Sequence, residues 1–291
     1  MTAGEARNIA LKTLSDVTGS RAARTETPAL DIAVILSHLL GIDRSRLSAH
    51  PEIELGDAEH SFFAAIDRRA RGIPVAYITG EKEFWGLSFH VTPDVLIPKP
   101  DTEILVERAI AILRTMPTPA RILDVCTGSG CVAVSIAHDV PSALVAATDI
   151  SAAALLIAQE NARILLAGRK EPQIKFIEGD LRAGLPPTEG KWQLIVSNPP
   201  YVPTVTAQEL LADGRSEPML ALDGGDDGLD LVRALADKAK EALAPGGKLL
   251  IETGEYNARA GVDYLKRAGF LDIVIHRDLE GQDRVLEGTL P

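Results

Sequence analysis

The sequence predicts an α/β fold: a Rossmann-like, mainly parallel sheet with an antiparallel hairpin at its C-terminal edge, preceded by a small all-helical N-terminal domain. Three observations carry this. From Arg121 onward, short β-prone runs alternate with helical segments, the pattern of strands joined by crossover helices. The last two runs are joined only by Arg277 to Asp283, too short for a parallel crossover, so they pair antiparallel. Residues 1–74 carry helical spacing without that alternation.

The elements follow in order. Ala6 to Leu11 starts a first helix, with Ile9, Leu14 and Val17 as its apolar stripe. Thr27-Pro28 reads as an N-cap with proline at the first helical position. Ala29 to Leu40 then carries Leu30, Val34, Ile35 and Leu39 at helical spacing before Gly41 stops it. A third helix opens at Gly56-Asp57, runs to Arg71 and ends at Gly72-Ile73-Pro74. Residues 75–100 read as a β-hairpin linker, with β-prone runs Ala76-Tyr77-Ile78, Leu87 to Val91 and Val95 to Ile97 between glycines and prolines. Residues 101–291 form the larger domain, opened by a helix from Asp101 to Leu113. Strands are expected at 121–125, 144–148, 174–177, 194–197, 248–252, 272–276 and 284–286. Helices are expected at 132–138, 152–166, 229–243 and 258–268.

The first strand turns into its helix through Asp124-Val125-Cys126-Thr127-Gly128-Ser129-Gly130. Gly128 and Gly130 allow a close backbone approach to a ligand, and ligands of open α/β sheets bind at these strand ends. Gly128 to Ala133 also satisfies the dinucleotide pattern, with Asp149 following at the usual interval, which fits a nicotinamide dehydrogenase. Other features favour S-adenosylmethionine. The loop is entered from Asp124, whose charge faces a helix N-terminus and can engage a ligand ammonium. Asp149 suits ribose hydroxyls in either case, and Asp180 lies where an adenine amino group can donate. Asp149 could instead cap the next helix, where Ser151 competes, and Asp180 could be a turn residue.

Ser197-Asn198-Pro199-Pro200-Tyr201 follows the apolar run Leu194-Ile195-Val196. Two prolines fix φ and lack N–H donors, so the corner is stiff and presents carbonyl acceptors beside one carboxamide. That suits an NH2-bearing substrate, although Pro-Pro also ends ordinary strands. Such a corner can hold an NH2 group still while its nitrogen attacks.

Composition narrows the classes. The chain has 291 residues, 46% hydrophobic and 24% charged, which is ordinary for a globular protein and enough for two domains. A net charge of −11 disfavours nucleic acid as a stable partner. There is no stretch long enough to span a bilayer and no signal peptide at Met1 to Glu5. Two cysteines, Cys126 and Cys131, exclude a disulfide framework and make a reducing cytoplasm the default. The histidines lack metal-ligand spacing, so no metal is assigned. A catalytically silent cofactor-binding module is the competing class of function, against which Asn198 and Asp149 count.

Taken together, the chain resembles the class I S-adenosylmethionine-dependent protein-(glutamine-N5) methyltransferases, in particular those acting on peptide chain release factors. The resemblance runs through Pro74 to Gly80, Glu83 to Gly86, Val95 to Glu103, Ser197 to Tyr201, Glu217-Pro218, Ala221 to Gly228 and Gly281 to Arg284. It implies catalysis by Asn198, Pro199, Pro200 and Tyr201, and cofactor binding by Cys126, Thr127, Gly128, Ser129, Gly130, Asp149, Leu181 and Asn198. It also implies that the N-terminal helices dock a release factor, acting as a monomer on the Gly-Gly-Gln motif. The chain departs from the family at Cys126, where glycine is frequent, at Lys99, where arginine is usual, and at Leu181, where an aromatic can cover adenine. Cys126 also fits the sister enzymes acting on a ribosomal protein, and adenine-N6 DNA methyltransferases share Asn-Pro-Pro-Tyr because an exocyclic amine poses the same problem.

Overall fold

The computed structural model describes residues 1–17, 23–168, 174–187 and 190–291. They form two compact units, 1–81 with 208–216, and 82–207 with 217–291.

The first unit holds α1 (Ala3–Ser15), α2 (Pro28–Leu40), α3 (Arg44–Ala49), α4 (Ala58–Ala70) and α5 (Val75–Thr79). α1 begins earlier than expected because Thr2 and Glu5 close a capping box. Its buried face is therefore Ala3, Ala6, Ala10 and Leu14, while Ile9 is 47% exposed. α2 buries Ile32, Ile35 and Leu36, and the expected Leu30 faces solvent. These pack on Phe62 and Ile66 of α4. Arg69, set in that interior, donates to Asp31 at 2.8 Å. The run Ala76-Tyr77-Ile78 is helical, not extended: Pro74 caps α5 and Gly80, at φ +77°, ends it.

In the second unit, β1 (Glu81–Phe84) and β2 (Leu87–His90) form a hairpin whose turn, Trp85-Gly86, has positive φ at both residues. Val95 and Ile97 are buried, but the run Val95 to Ile97 forms no strand. A 3₁₀ turn at Pro100–Thr102 leads into α6 (Glu103–Leu113). There follow β3 (Arg121–Val125), α7 (Cys131–Asp139), β4 (Leu144–Asp149), α8 (Ala152–Leu165), β5 (Ile174–Glu178) and β6 (Trp192–Ser197). α9 (Thr204–Ala212) divides between the units at residue 208, and the second unit closes with α10 (Asp230–Ala242), β7 (Leu243–Glu252), α11 (Ala258–Ala268), β8 (Leu271–Arg277) and β9 (Asp283–Thr289). Sequence reading did not anticipate α3 or α9.

The strand order is β5-β4-β3-β6-β7-β9-β8. β3 to β7 run parallel, and β9 lies antiparallel between β7 and β8. Alternation along the strands sends Ile122, Leu194, Val196 and Leu250 to one core with α6 and α7. Leu123, Val125, Ile195, Leu249 and Ile251 go to the other, with α10 and α11. The chain steps from β3 to β4 on one side, and β6 pairs on the other, which opens a crevice at the carboxyl ends of β3 and β6.

Candidate active site

Register brings the functional positions into one row. Val125 of β3 pairs with Thr148 of β4 and Ser197 of β6, and Ser197 pairs with Ile251 of β7. Cys126, Asp149, Asn198 and Glu252 therefore emerge side by side at successive strand ends. Ser197, fully buried, donates its hydroxyl to the Val125 carbonyl at 2.6 Å and fastens the two central strands where they end. Above the row opens a cavity of about 520 Å³, within the range of small-ligand sites. Asp124, Cys126, Thr127, Gly128, Ser129, Asp149, Asp180, Leu181, Asn198 and Pro200 line it; Gly130, Pro199 and Tyr201 are outside its lining.

On one side three amides of the glycine loop are committed within the chain. Thr127 N–H donates to the Thr148 carbonyl, Gly128 N–H to Asp149 Oδ2 and Gly130 N–H to the Thr127 carbonyl. Asp149 Oδ1 takes the Ser151 N–H, while Ser151 itself caps α8 by accepting from Ala154. Asp149 is thus no helix cap; burial, opposed by those backbone donors, raises its pKa. Asp124 Oδ2 accepts from Thr127 Oγ1 at 2.6 Å and from Ala133 N–H at 3.2 Å, at the start of α7. Burial pushes this carboxyl up to about 7, against the pull of those hydrogen bonds. A pyrophosphate would meet two carboxylates here and find the Thr127, Gly128 and Gly130 amides turned to partners in the chain, whereas a cation is welcome. Asp180 holds the Arg182 N–H in a turn, and Leu181 is buried beside it.

Cys126 sits at φ +60°, a conformation an L-residue adopts at a cost and glycine adopts freely. Both thiols are free; burial pushes each up, Cys131 to about 12, so neither is a thiolate at neutral pH.

On the other side lies the proline corner. Asn198 Nδ2 donates to Thr102 Oγ1 at 3.1 Å. The Tyr201 hydroxyl donates to Glu252 Oε1 at 3.3 Å, and burial with the nearby Glu252 charge raises the phenol well above its usual pKa. The Tyr201 carbonyl accepts from Tyr256 and from Asn257, each at 3.2 Å. Val202 N–H donates to the Leu222 carbonyl, and Gly224 N–H to the Val202 carbonyl. A Cβ at Gly224 would stand 2.7 Å from the Tyr201 Cα, and one at Gly228 2.2 Å from the Tyr201 carbonyl oxygen. Gly224 and Gly228 are therefore there so that one loop can clasp the backbone of another.

Lys99 and Glu217 pair at 2.5 Å, with the Glu217 side chain 3% exposed. The pair joins the loop before α6 to the 3₁₀ turn Met219–Ala221, both of which line the cavity. Sequence reasoning missed Thr102, Asn161 and Glu252 as site residues. Asn161, on α8, donates to the Ser129 carbonyl at 2.9 Å and holds the glycine loop from behind. Glu252 ends the apolar run Leu249-Leu250-Ile251, and its signal was available: it closes a strand as Asp149 does.

The chain matches the family model of the PrmC N-terminal domain over residues 20–80, and that of the methyltransferase small domain over residues 103–216. It is 46% identical to the release factor glutamine methyltransferase of Moorella thermoacetica, over 89% of this chain and 90% of that protein. It is 41% identical to that of Burkholderia pseudomallei, over 90% and 92%. It is 40% identical to that of Koribacter versatilis, over 100% and 99%. A solved methyltransferase from Pyrococcus furiosus shares the fold at TM-score 0.50 and 19% identity, over 77% of this chain and 98% of that one. Likeness of this extent to proteins of one kind, together with the row of strand ends, establishes that the chain belongs to the release factor glutamine methyltransferase family.

Proposed function

We propose that the chain transfers a methyl group from S-adenosylmethionine to the side-chain amide nitrogen (N5) of a glutamine in the Gly-Gly-Gln motif of peptide chain release factors. The observation that carries this reading is the orientation of Asn198. With its nitrogen on Thr102, the carboxamide has its oxygen left for a substrate donor. Asn198 Oδ1 and the Pro199 carbonyl accept the two hydrogens of the glutamine amide and turn its nitrogen toward the donor. Pro200 keeps that corner from yielding. Positioning and acceptor electrostatics lower the barrier, and no base removes a proton beforehand.

The residues fit S-adenosylmethionine. Asp124 lies where an ammonium can be paired, Asp149 keeps lone pairs for ribose hydroxyls, and Asp180 with Leu181 suits an adenine edge and face. Bound there, S-adenosylmethionine supplies a methyl group on a positively charged sulfur. The commitment of the Thr127, Gly128 and Gly130 amides within the chain supports this cationic ligand over a dinucleotide. Residues 1–74 are assigned to docking the release factor, residues 75–100 to linking, and residues 101–291 to catalysis. Among the described residues no helix is long and apolar enough to cross a membrane; action in the cytoplasm rests on the proposed substrate, and action as a monomer is part of the same proposal. Incubation with labelled S-adenosylmethionine, release factors, ribosomal proteins and DNA, followed by peptide mass spectrometry, tests the reading. Label on the Gly-Gly-Gln glutamine is expected. Label confined to a ribosomal protein or to adenine would refute it.

A further inference from the structure

We propose that Glu252 is a positioning residue which, through the Thr102 hydroxyl, fixes the end of the Asn198 carboxamide that faces the cavity. The inference rests on the acceptor role given to Asn198 above. Pairing of Ser197 with Ile251 sets Asn198 and Glu252 on neighbouring strand ends. Glu252 is 0% exposed. Its Oε1 accepts from Tyr201, while its Oε2 is buried with no hydrogen-bond partner. Thr102, 2% exposed, faces the same carboxyl and stabilises its charged form. The only hydrogen bond at Thr102 Oγ1 among the described side chains is the one it accepts from Asn198. An acceptor without a donor thus confronts a hydroxyl whose hydrogen is unassigned.

A hydroxyl has one hydrogen to give. A carboxylate only accepts, so that hydrogen belongs to Glu252, and the lone pairs of Thr102 are left to the Asn198 NH2. The carboxamide oxygen is then the end offered to the cavity. If Glu252 presents a donor instead, Thr102 accepts from it and turns its hydrogen to Asn198 Oδ1. The amide then flips, and its NH2 meets the NH2 of the substrate, donor against donor. Stability gives little reason to keep such a group, since a leftover buried acceptor is costly and an apolar side chain packs without that cost.

The charges facing Glu252 are Arg284 of β9, which favours ionisation, and Asp101 of the 3₁₀ turn, which opposes it; the Tyr201 phenol also adjoins it, and Cys131 lies within its field. Burial pushes Glu252 up to about 7, so the orienting charge is present above neutrality and fades below it.

The test uses the full chain with a release factor as methyl acceptor, and compares Glu252→Gln, Thr102→Val, the double variant and Thr102→Ser. Melting curves and calorimetric cofactor binding establish that each variant is folded. The expected result for Glu252→Gln is a kcat lower on the order of 10- to 100-fold, comparable to loss of one preorganised contact. KM for both substrates stays within about threefold, and the decline of kcat below pH about 7 disappears. Thr102→Val falls by a similar factor, the double variant falls no further, and Thr102→Ser recovers most of the loss. The proposal is overturned if Glu252→Gln keeps both kcat and the acidic decline, or if the two single losses multiply in the double variant. Should Glu252→Gln fail to fold, Thr102→Val decides, because a folded Thr102→Val with unchanged kcat also overturns it. Asn198→Ala separates the two levels. Full turnover in that variant removes the underlying reading, whereas an inactive Asn198→Ala beside an active Glu252→Gln removes only the role of Glu252.

Discussion

Two buried carboxyl groups, Asp124 in the cavity lining and Glu252 at the neighbouring end of β7, are raised alike by burial and wired differently. Asp124 and Glu252 are both sealed from solvent, and burial pushes each up to about 7. Asp124 takes a hydroxyl and a helix N–H and adjoins a loop that commits the Thr127, Gly128 and Gly130 amides to partners within the chain. Glu252 holds one weak contact and leaves an oxygen unpartnered. A raised pKa therefore reports burial, which the two share. The hydrogen-bond count separates a group that holds a loop in shape from one with capacity left to orient a neighbour.

The largest effect that sharpens this contrast is expected at Gly228. Gly228→Ala drives a Cβ into the Tyr201 carbonyl, 2.2 Å away, at φ +75°. Displacing the corner by a fraction of its width lowers kcat by more than about 100-fold. Calorimetry should still find the cofactor bound within a few fold, because the opposite half is untouched; equal loss of both would break the division. An intermediate effect is expected for Asp149→Asn, which sets an NH2 against the Gly128 or Ser151 N–H. Cofactor affinity falls roughly 10- to 100-fold, as for loss of a charge-assisted bond, while turnover at saturation changes little.

The smallest effect concerns stability. Because Asp124 binds its proton more tightly folded than unfolded, the ligand-free chain loses stability as pH rises from about 3.8 to about 7, the reverse of an ordinary ion-paired carboxylate. Asp124→Asn removes its share, at most a few kcal/mol, so the melting temperature should vary less between pH 5 and pH 7.5 than in the parent. Glu252 contributes with the same sign, so part of the slope remains. An unchanged slope would mean that the carboxyl is already ionised in the folded chain.

The sheet was largely legible because parallel strands buried on both faces read as continuous apolar runs. β3 matches its expected bounds, and α11 does as well. The first helix was misjudged because its buried face is alanine, which carries little hydrophobic signal at any period. Ala76-Tyr77-Ile78 was misjudged because three β-prone residues say less than the proline and glycine that bracket them. In the site, residues that end strands were visible as punctuation: Asp124, Asp149 and Asn198. Glu252 carried the same punctuation and was overlooked; Thr102 carried none, since its meaning lies in a contact between distant segments, 96 positions apart for Asn198 and Thr102. The clasp of Gly224 and Gly228 on Tyr201 explains why the resemblance at Ala221 to Gly228 accompanies that at Ser197 to Tyr201.

The commitment of the Thr127, Gly128 and Gly130 N–H groups to partners within the chain also acts as a filter. Cells are full of adenosine carriers bearing phosphate chains, at concentrations that would flood any permissive adenosine pocket. A turn that keeps these three donors for itself, and that meets newcomers with negative charge, disfavours those competitors without a dedicated gate.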